Sequence, residues 1–126
     1  GSSVYLCSTD GGPRGSGQLY RLDIAKAAQT DTLTLIAQAQ GNGDFDHPDN
    51  VTVSPWGDIF LAEDGDAPNG VRILKPDGRL LYFARNAMND GDSEIAGICF
   101  SPDGKWMFLN IQWEDLTLAI TGPFMA

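Results

Sequence analysis

Two segments of the chain carry the same pattern 47 residues apart, and this internal repeat constrains the fold more than any other feature. VTVSPWGDIFL, residues 51–61, aligns with ICFSPDGKWMF, residues 98–108, so that a Ser, a Pro and a Gly coincide in the two copies. A repeat of about 40 to 50 residues that contains short strands and tight turns is typical of structural units that stack on one another. The fold should therefore be a series of similar units.

Apolar and polar residues alternate along most of the chain, which is the periodicity expected of β-strands. Helical periodicity is nearly absent, and only DIAKAAQ, residues 23–29, favours a helical turn. Several of the alternating segments end at Pro and Gly residues that favour tight turns. We therefore predict an all-β chain with ten strands, at 4–9, 17–23, 32–40, 50–55, 58–63, 70–75, 79–85, 95–101, 105–111 and 116–121.

Together, the repeat and the strands predict a fragment of a β-propeller with about two to three four-stranded antiparallel blades. Ten strands cannot close a propeller, so we expect missing blades or self-association of the chain to complete it. The exposed apolar edges expected at 4–9 and 116–124 favour self-association, because unpaired strands recruit partners. The chain, 1–126, is then a single partial domain made of a partial blade at 4–40 without its innermost strand, a full blade at 48–88, and a partial blade at 93–124 without its outermost strand.

The charge of the chain restricts its partners. It has 17 acidic and 8 basic residues and a formal net charge of −9, whereas nucleic-acid binding depends on clustered Lys and Arg. No apolar run reaches the roughly 18 residues that a membrane helix needs. We therefore expect neither nucleic acid nor a membrane as a partner, and the acidity suits metal cations.

Three residues have reactive side chains, and we assign none of them a catalytic or metal-binding role. Cys7 and Cys99 both lie in apolar runs, which favours buried free thiols over a disulfide or metal ligation. His47 stands beside a Pro and an Asp, as is common in loops, and we interpret it as a loop residue rather than a ligand or a base.

Acidic and amide side chains are predicted to gather at one rim of the fragment. In an antiparallel blade, the residues before the innermost strand lie beside those that follow the second strand. Clustered carboxylates repel one another unless a cation or protons compensate, so a site for calcium or a trivalent metal is one interpretation. A solvated acidic loop is the other, because Asp, Asn and Gly are also common in turns. The full blade brings Asp49, Asn50, Glu63 and Asp64 to this rim, the last blade brings Glu94, and the first brings Asp10.

Three motifs resemble the C-terminal part of the PhoX-type alkaline phosphatases: PDNVTVSPWG (48–57), SEIAGICFSPDG (93–104) and TLAITGPF (117–124). With other segments, the resemblance covers nearly the whole chain. It implies a six-bladed propeller, export to the periplasm or the medium through the twin-arginine route, and hydrolysis of phosphate esters with calcium and iron as cofactors. By this resemblance Glu94 is the first predicted metal ligand, followed by Asp49, Asn50, Glu63 and Asp64, and then by Asp10.

Three hypotheses follow. The chain is a metal-dependent phosphate ester hydrolase of the PhoX type or a fragment of one, or it is a non-catalytic binding or scaffold module with an acidic rim. In the third, several copies of the chain assemble to rebuild a propeller. The expected partners are a small phosphate ester and either further copies of the chain or the remainder of a longer propeller.

Overall fold

Alternating apolar residues form β-strands along the whole chain. The computed structural model describes residues 2–27, 29–41, 43–66 and 68–124, and within these ranges there is no α-helix and one 3₁₀ turn, Asn89–Gly91. The all-β prediction is therefore confirmed. The strands are β1 (Ser2–Ser8), β2 (Gln18–Ile24), β3 (Thr32–Gln38), β4 (Pro48–Val53), β5 (Ile59–Glu63), β6 (Gly70–Leu74), β7 (Leu80–Arg85), β8 (Ile95–Phe100), β9 (Trp106–Ile111) and β10 (Leu116–Thr121).

The strands form three antiparallel sheets in chain order. The first sheet has the order β1-β2-β3, the middle sheet β4-β5-β6-β7, and the third sheet β10-β9-β8. Within each sheet, consecutive strands pair with each other, as expected when hairpin connections join them. Sheets of three to four antiparallel strands are consistent with the predicted propeller fragment.

The middle sheet is packed on both faces. β1 of the first sheet lies against β4, and β8 of the third sheet lies against β4 and β5. Alternation in β5 supplies both cores, because neighbouring side chains point to opposite faces. Leu61 packs towards the first sheet with Leu19 and Phe45. Phe60 packs towards the third sheet with Met107.

An aromatic cluster anchors the third sheet to the middle one. Phe60 is fully buried and lies edge-on to Trp56, Phe83 and Phe100, with ring centroids 4.9–6.4 Å apart. The ring of Phe124 stacks on Trp56 with an interplanar angle of 14°. Edge-to-face pairs add specific attraction to the area that they bury.

The two Ser-Pro-x-Gly turns differ by one residue. In the first, Val53 pairs with Ile59, whereas in the second Phe100 pairs with Met107. The shift of 47 residues therefore holds up to this turn and becomes 48 after it, so that Ile59 corresponds to Met107 and not to Trp106. Because a slip of one residue exchanges the two faces of a strand, this correction decides which side chains of β9 enter the core.

The segment predicted to favour a helical turn forms no helix in its described part. β2 continues to Ile24, and the amide of Gln29 donates to the carbonyl of Lys26, 3.3 Å away, as in a single turn. Ala28 lies outside the described residues.

The cysteines differ from each other in burial. Both are free thiols, as predicted. Cys7 is half-buried and packs against the core between the first and middle sheets, and this burial raises the pKa of its thiol, with a smaller contribution from the charge of Asp49. Cys99 is exposed, so the expectation of burial was wrong for it. It pairs with Phe108, and both lie on the face of the third sheet that points away from the middle sheet.

Phe60→Ala should lower the free energy of unfolding by about 3–5 kcal/mol, because the cavity left in the aromatic cluster cannot be refilled by the flanking rings. Leu81→Ala is the matched control, since Leu81 is 39% exposed and its truncation should cost less than about 1 kcal/mol. Urea denaturation of the two variants and the wild type measures both values. Equal losses of unfolding free energy in the two variants would contradict the conclusion that Phe60 is a principal residue of this core.

Candidate metal site

Strand pairing brings the residues of the predicted rim together at one end of the strands in the middle and third sheets. Pro48 at the start of β4 pairs with Glu63 at the end of β5. The amide of Asp64 donates to the carbonyl of His47, 2.9 Å away, and the amide of Gln112 donates to that of Glu94 at 3.1 Å. Equivalent backbone hydrogen bonds thus join the first and second strands of both sheets at this end.

Three of the six predicted ligands converge. Asp49, Asp64 and Glu94 each offer a carboxylate oxygen, and these oxygens all lie within 4.8 Å of one another. The first two residues are exposed and Glu94 is half-buried. We call these three residues the acidic cluster.

Two carboxylates of the acidic cluster, those of Glu94 and Asp64, have a raised pKa. Burial raises the pKa of Glu94, and the charges of Asp64 and Asp49 raise it further. Burial and the charge of Asp49 likewise raise the pKa of Asp64, whereas nearby His47 lowers it. A cation placed between the three carboxylates would relieve this repulsion.

Two of the other predicted ligands lie beside the cluster rather than in it. The side-chain oxygen of Asn50 accepts a hydrogen bond from the amide of Ile98 at 2.9 Å, so it joins β4 to β8. The side chain of Asp10 is 87% exposed, and its Oδ1 lies 3.6 Å from Nε2 of His47. The metal role of both residues stays a prediction.

Glu63 points away from the acidic cluster, into the interface between the first and middle sheets. Its side chain is only 2% exposed and lies 2.8 Å from the Nε of Arg72, and the same carboxylate oxygen accepts the amide of Asp46 at 3.0 Å. Burial raises the pKa of Glu63, although Arg72 acts in the opposite direction. Alternation explains the placement, because Asp64 directly follows Glu63, the last residue of β5, and adjacent residues of extended chain face opposite ways.

Two contacts that support the rim were not assigned from the sequence. The hydroxyl of Thr9 donates to Oδ1 of Asp49 at 3.1 Å, which ties the first sheet to the cluster. The guanidinium of Arg72 lies over the ring of Tyr82, 3.6 Å from its centroid. A charged residue inside the apolar strand GVRIL was the available signal for the second contact, since a buried cation needs a partner.

His47 lies in the segment before β4, in agreement with its interpretation as a loop residue. Its φ of 45° places it in the left-handed region, and its Nδ1 lies 2.9 Å from Oδ1 of Asp46. Its backbone amide donates to the carbonyl of Ser16 at 2.8 Å. The bond to Ser16 links the connection between β1 and β2 to the beginning of β4.

A polar cavity of about 550 Å³ opens between the first and middle sheets beside the rim. Glu63 and Arg72 form part of its wall, and both are already paired with each other. Its other charged lining residues are Arg14, Asp44, Asp46 and Asp66.

Comparison with known proteins gives one match. A family model described as alkaline phosphatase PhoX matches residues 3–115 of this chain. Searches of curated proteins and of solved structures found no match. Within the described ranges, no helix has the length and apolar character needed to cross a membrane.

Arg72→Gln should lower the free energy of unfolding by about 3–5 kcal/mol at neutral pH, because it leaves the buried carboxylate of Glu63 without a counter-charge. Part of the loss should be recovered as the pH falls, since protonation of Glu63 removes the unpaired charge. Denaturation at several pH values measures the effect. Arg79→Gln is the control: its pair with Asp77 at 2.7 Å is exposed, and its loss should leave stability nearly unchanged.

Glu94→Gln should make the metal-free chain more stable than the wild type at neutral pH, because it removes one of three repelling charges. The raised pKa of Glu94 means that the folded state keeps its proton to higher pH than the unfolded state, so wild-type stability falls as the pH rises above the usual value of 4.5. The advantage of the variant should therefore grow through that range and then level off.

Thermal unfolding in the presence of a chelator measures this pH dependence. Asp66→Asn is the control, since Asp66 is exposed on the same side of the chain but does not belong to the acidic cluster. A variant that is less stable than the wild type at every pH would contradict the predicted repulsion.

Proposed function

Because the chain belongs to the PhoX alkaline phosphatase family, we propose that its acidic cluster binds a hard metal ion and that the chain is a metal-dependent phosphate ester hydrolase or a fragment of one. Membership supports alkaline phosphatase-like activity in general. The observation that carries the proposal is the convergence of Asp49, Asp64 and Glu94 from the ends of different strands. Proteins of the family are typically extracellular or periplasmic, and we propose a periplasmic or secreted location for this chain.

The geometry of the acidic cluster suits a hard cation. Calcium holds carboxylate oxygens at about 2.3–2.6 Å, so two ligands of one ion lie no more than about 5 Å apart. The three carboxylate oxygens meet this limit. An all-oxygen, negatively charged donor set favours calcium or ferric iron over softer metals, in agreement with the calcium and iron that the family resemblance implies.

Neighbouring residues of the chain hold the three carboxylates in place. Thr9 orients Asp49 through its hydroxyl, and the backbone bond from Asp64 to His47 fixes the separation of β4 and β5 at the rim. A bound calcium or iron centre would polarise the phosphoryl oxygens of an ester and supply an activated oxygen nucleophile. The residues of this chain would contribute three carboxylate ligands, already held close together, to that centre.

Calcium should raise the midpoint of thermal unfolding of the metal-free chain, because a ligand that binds only the folded state stabilises it. Glu94→Gln and Asp64→Asn should each weaken calcium binding by about tenfold or more, since affinity depends on the number of charged ligands. Isothermal titration calorimetry measures the affinities. Asp77→Asn is the matched control, because Asp77 is an exposed carboxylate in the turn between β6 and β7 at the opposite edge of the sheet. Equal affinities in all variants would show that calcium binds outside the cluster.

Hydrolysis of p-nitrophenyl phosphate, with calcium and iron supplied, tests the catalytic part of the proposal. Turnover that is lost in Glu94→Gln and kept in Asp77→Asn would support a hydrolase. Calcium binding at the cluster without any turnover would favour the alternative, a non-catalytic binding or scaffold module whose metal is structural.

A further inference from the structure

The side chain of Asn69 joins the two segments that carry Asp64 and Glu94. Asn69 is the last residue before β6 and is only 1% exposed. Its Oδ1 accepts a hydrogen bond from the amide of Gly65 at 2.7 Å, and Gly65 directly follows Asp64. Its Nδ2 donates to the carbonyl of Asp92 at 3.2 Å, two residues before Glu94. A single buried amide therefore connects two of the three segments that form the acidic cluster.

Asparagine suits this bridge because its side-chain amide carries both a donor and an acceptor. The partner on one side is a backbone N–H, which needs an acceptor, and the partner on the other side is a carbonyl, which needs a donor. A carboxylate of the same size would offer no donor to the carbonyl of Asp92. An apolar side chain would leave both main-chain groups without this partner, which is costly in a buried position.

The main chain of Asn69 makes a second connection to the segment that leads to β8. Its amide donates to the carbonyl of Gly91 at 2.9 Å, and its carbonyl accepts the amide of Asn86 at 2.9 Å. Gly91 has a φ of 84°, and a Cβ at this position would lie only 2.6 Å from the Cβ of Pro68. The connection between β7 and β8 therefore packs directly against the residues that precede β6.

Further buried hydrogen bonds hold the main chain between this bridge and Glu94. Ser93 is fully buried. Its carbonyl accepts a hydrogen bond from Nδ2 of Asn86 at 3.2 Å, and its Oγ accepts one from the amide of Trp113 at 2.9 Å. The carbonyl of Glu94 accepts the amide of Gln112 at 3.1 Å. A shift of the Glu94 main chain would therefore break several buried bonds.

The bridge holds the acidic cluster together without reducing its charge. A Lys or Arg between the two segments would offset part of the negative charge that attracts a cation. Among the described residues, no Lys or Arg forms an ion pair with Asp49, Asp64 or Glu94. An uncharged amide brings the segments together and leaves all three carboxylates available as ligands.

We propose that Asn69 is a positioning residue for the acidic cluster, and that its side chain holds Asp64 and Glu94 at the separation at which both can bind one cation. The inference rests on the proposed function, because it concerns the same metal site. Both polar groups of the Asn69 side chain are used in the bridge, so Asn69 acts through the main chain of the two segments and not as a ligand. Residues that orient metal ligands in this way typically change metal affinity by about 10–100-fold.

Asn69→Ala should weaken calcium binding by about tenfold or more, as measured by isothermal titration calorimetry of the metal-free, 126-residue chain. Asn86→Ala is the matched control. Asn86 is 4% exposed, and its side chain also accepts one main-chain amide, that of Met88 at 2.9 Å, and donates to one carbonyl, that of Ser93 at 3.2 Å. These bonds stay within the connection between β7 and β8 and do not reach the Asp64 segment. The control should therefore lose similar stability and keep most of its calcium affinity.

The stability of the metal-free chain gives a second measurement that does not require calcium binding. Glu94→Gln relieves repulsion only while the carboxylates are held close together. Its gain in the midpoint of thermal unfolding, with a chelator at neutral pH, should therefore be smaller in the Asn69→Ala background than in the wild type. The gain should be retained in the Asn86→Ala background. An equal gain in all three backgrounds would overturn the positioning role.

The two measurements separate this inference from the proposed function. Calcium binding that is equally weakened in Asn69→Ala and Asn86→Ala, or unchanged in both, would overturn the positioning role and leave the metal site in place. A wild type that binds no calcium would contradict the metal site, and the stability measurement would then decide whether Asn69 holds the two segments together.

A milder variant keeps the test valid if Asn69→Ala does not fold. Asn69→Ser fills part of the same space, but its side chain is too short to reach both segments, so it should show the same loss of calcium affinity. Far-ultraviolet circular dichroism verifies that each variant is folded. A folded Asn69→Ser variant with the calcium affinity of the wild type would overturn the proposal.

Discussion

The packing of the middle sheet between two others is the constraint on which the rest of the structure depends. β5 is buried along its whole length, and its alternating side chains fill both cores. Among the described residues, each outer sheet is packed on one face only, against the middle sheet, and takes its core from that contact. The positions of the carboxylates follow from this stacking, because Asp64 directly follows β5 and Glu94 directly precedes β8 of the next sheet.

The acidic cluster shows how a fold can hold a locally unfavourable arrangement. Burial of apolar side chains in two cores fixes the strand ends, and the strand ends hold three like charges close together. A surface loop with the same residues would move apart to relieve the repulsion. The sheets prevent that movement, so the negative potential persists at the rim and favours cations there.

Much of the fold could be predicted from residue patterns, and the missing parts have definite physical causes. Alternation located all ten strands, and Pro and Gly located the turns. The repeat could not show the additional residue in the second Ser-Pro-x-Gly turn, because the pairing of Phe100 with Met107 depends on hydrogen bonds and not on composition. Glu63 and Asp64 looked equivalent at the end of one strand, yet the sheet sends the first to Arg72 and the second to the acidic cluster. The partner of Glu63 lies on another strand, so sequence proximity could not identify it.

One bond between sheets has a consequence for how the stack opens. Ile98 lies at an irregularity in β8, where the pairing with β9 shifts register, and its amide donates instead to the side chain of Asn50 on the middle sheet. The neighbouring Gly97 has a φ of 64°, a conformation that suits such a bulge. Hydrogen exchange at this single amide therefore reports the separation of two sheets, whereas exchange at amides in the strand ladders reports the fraying of one.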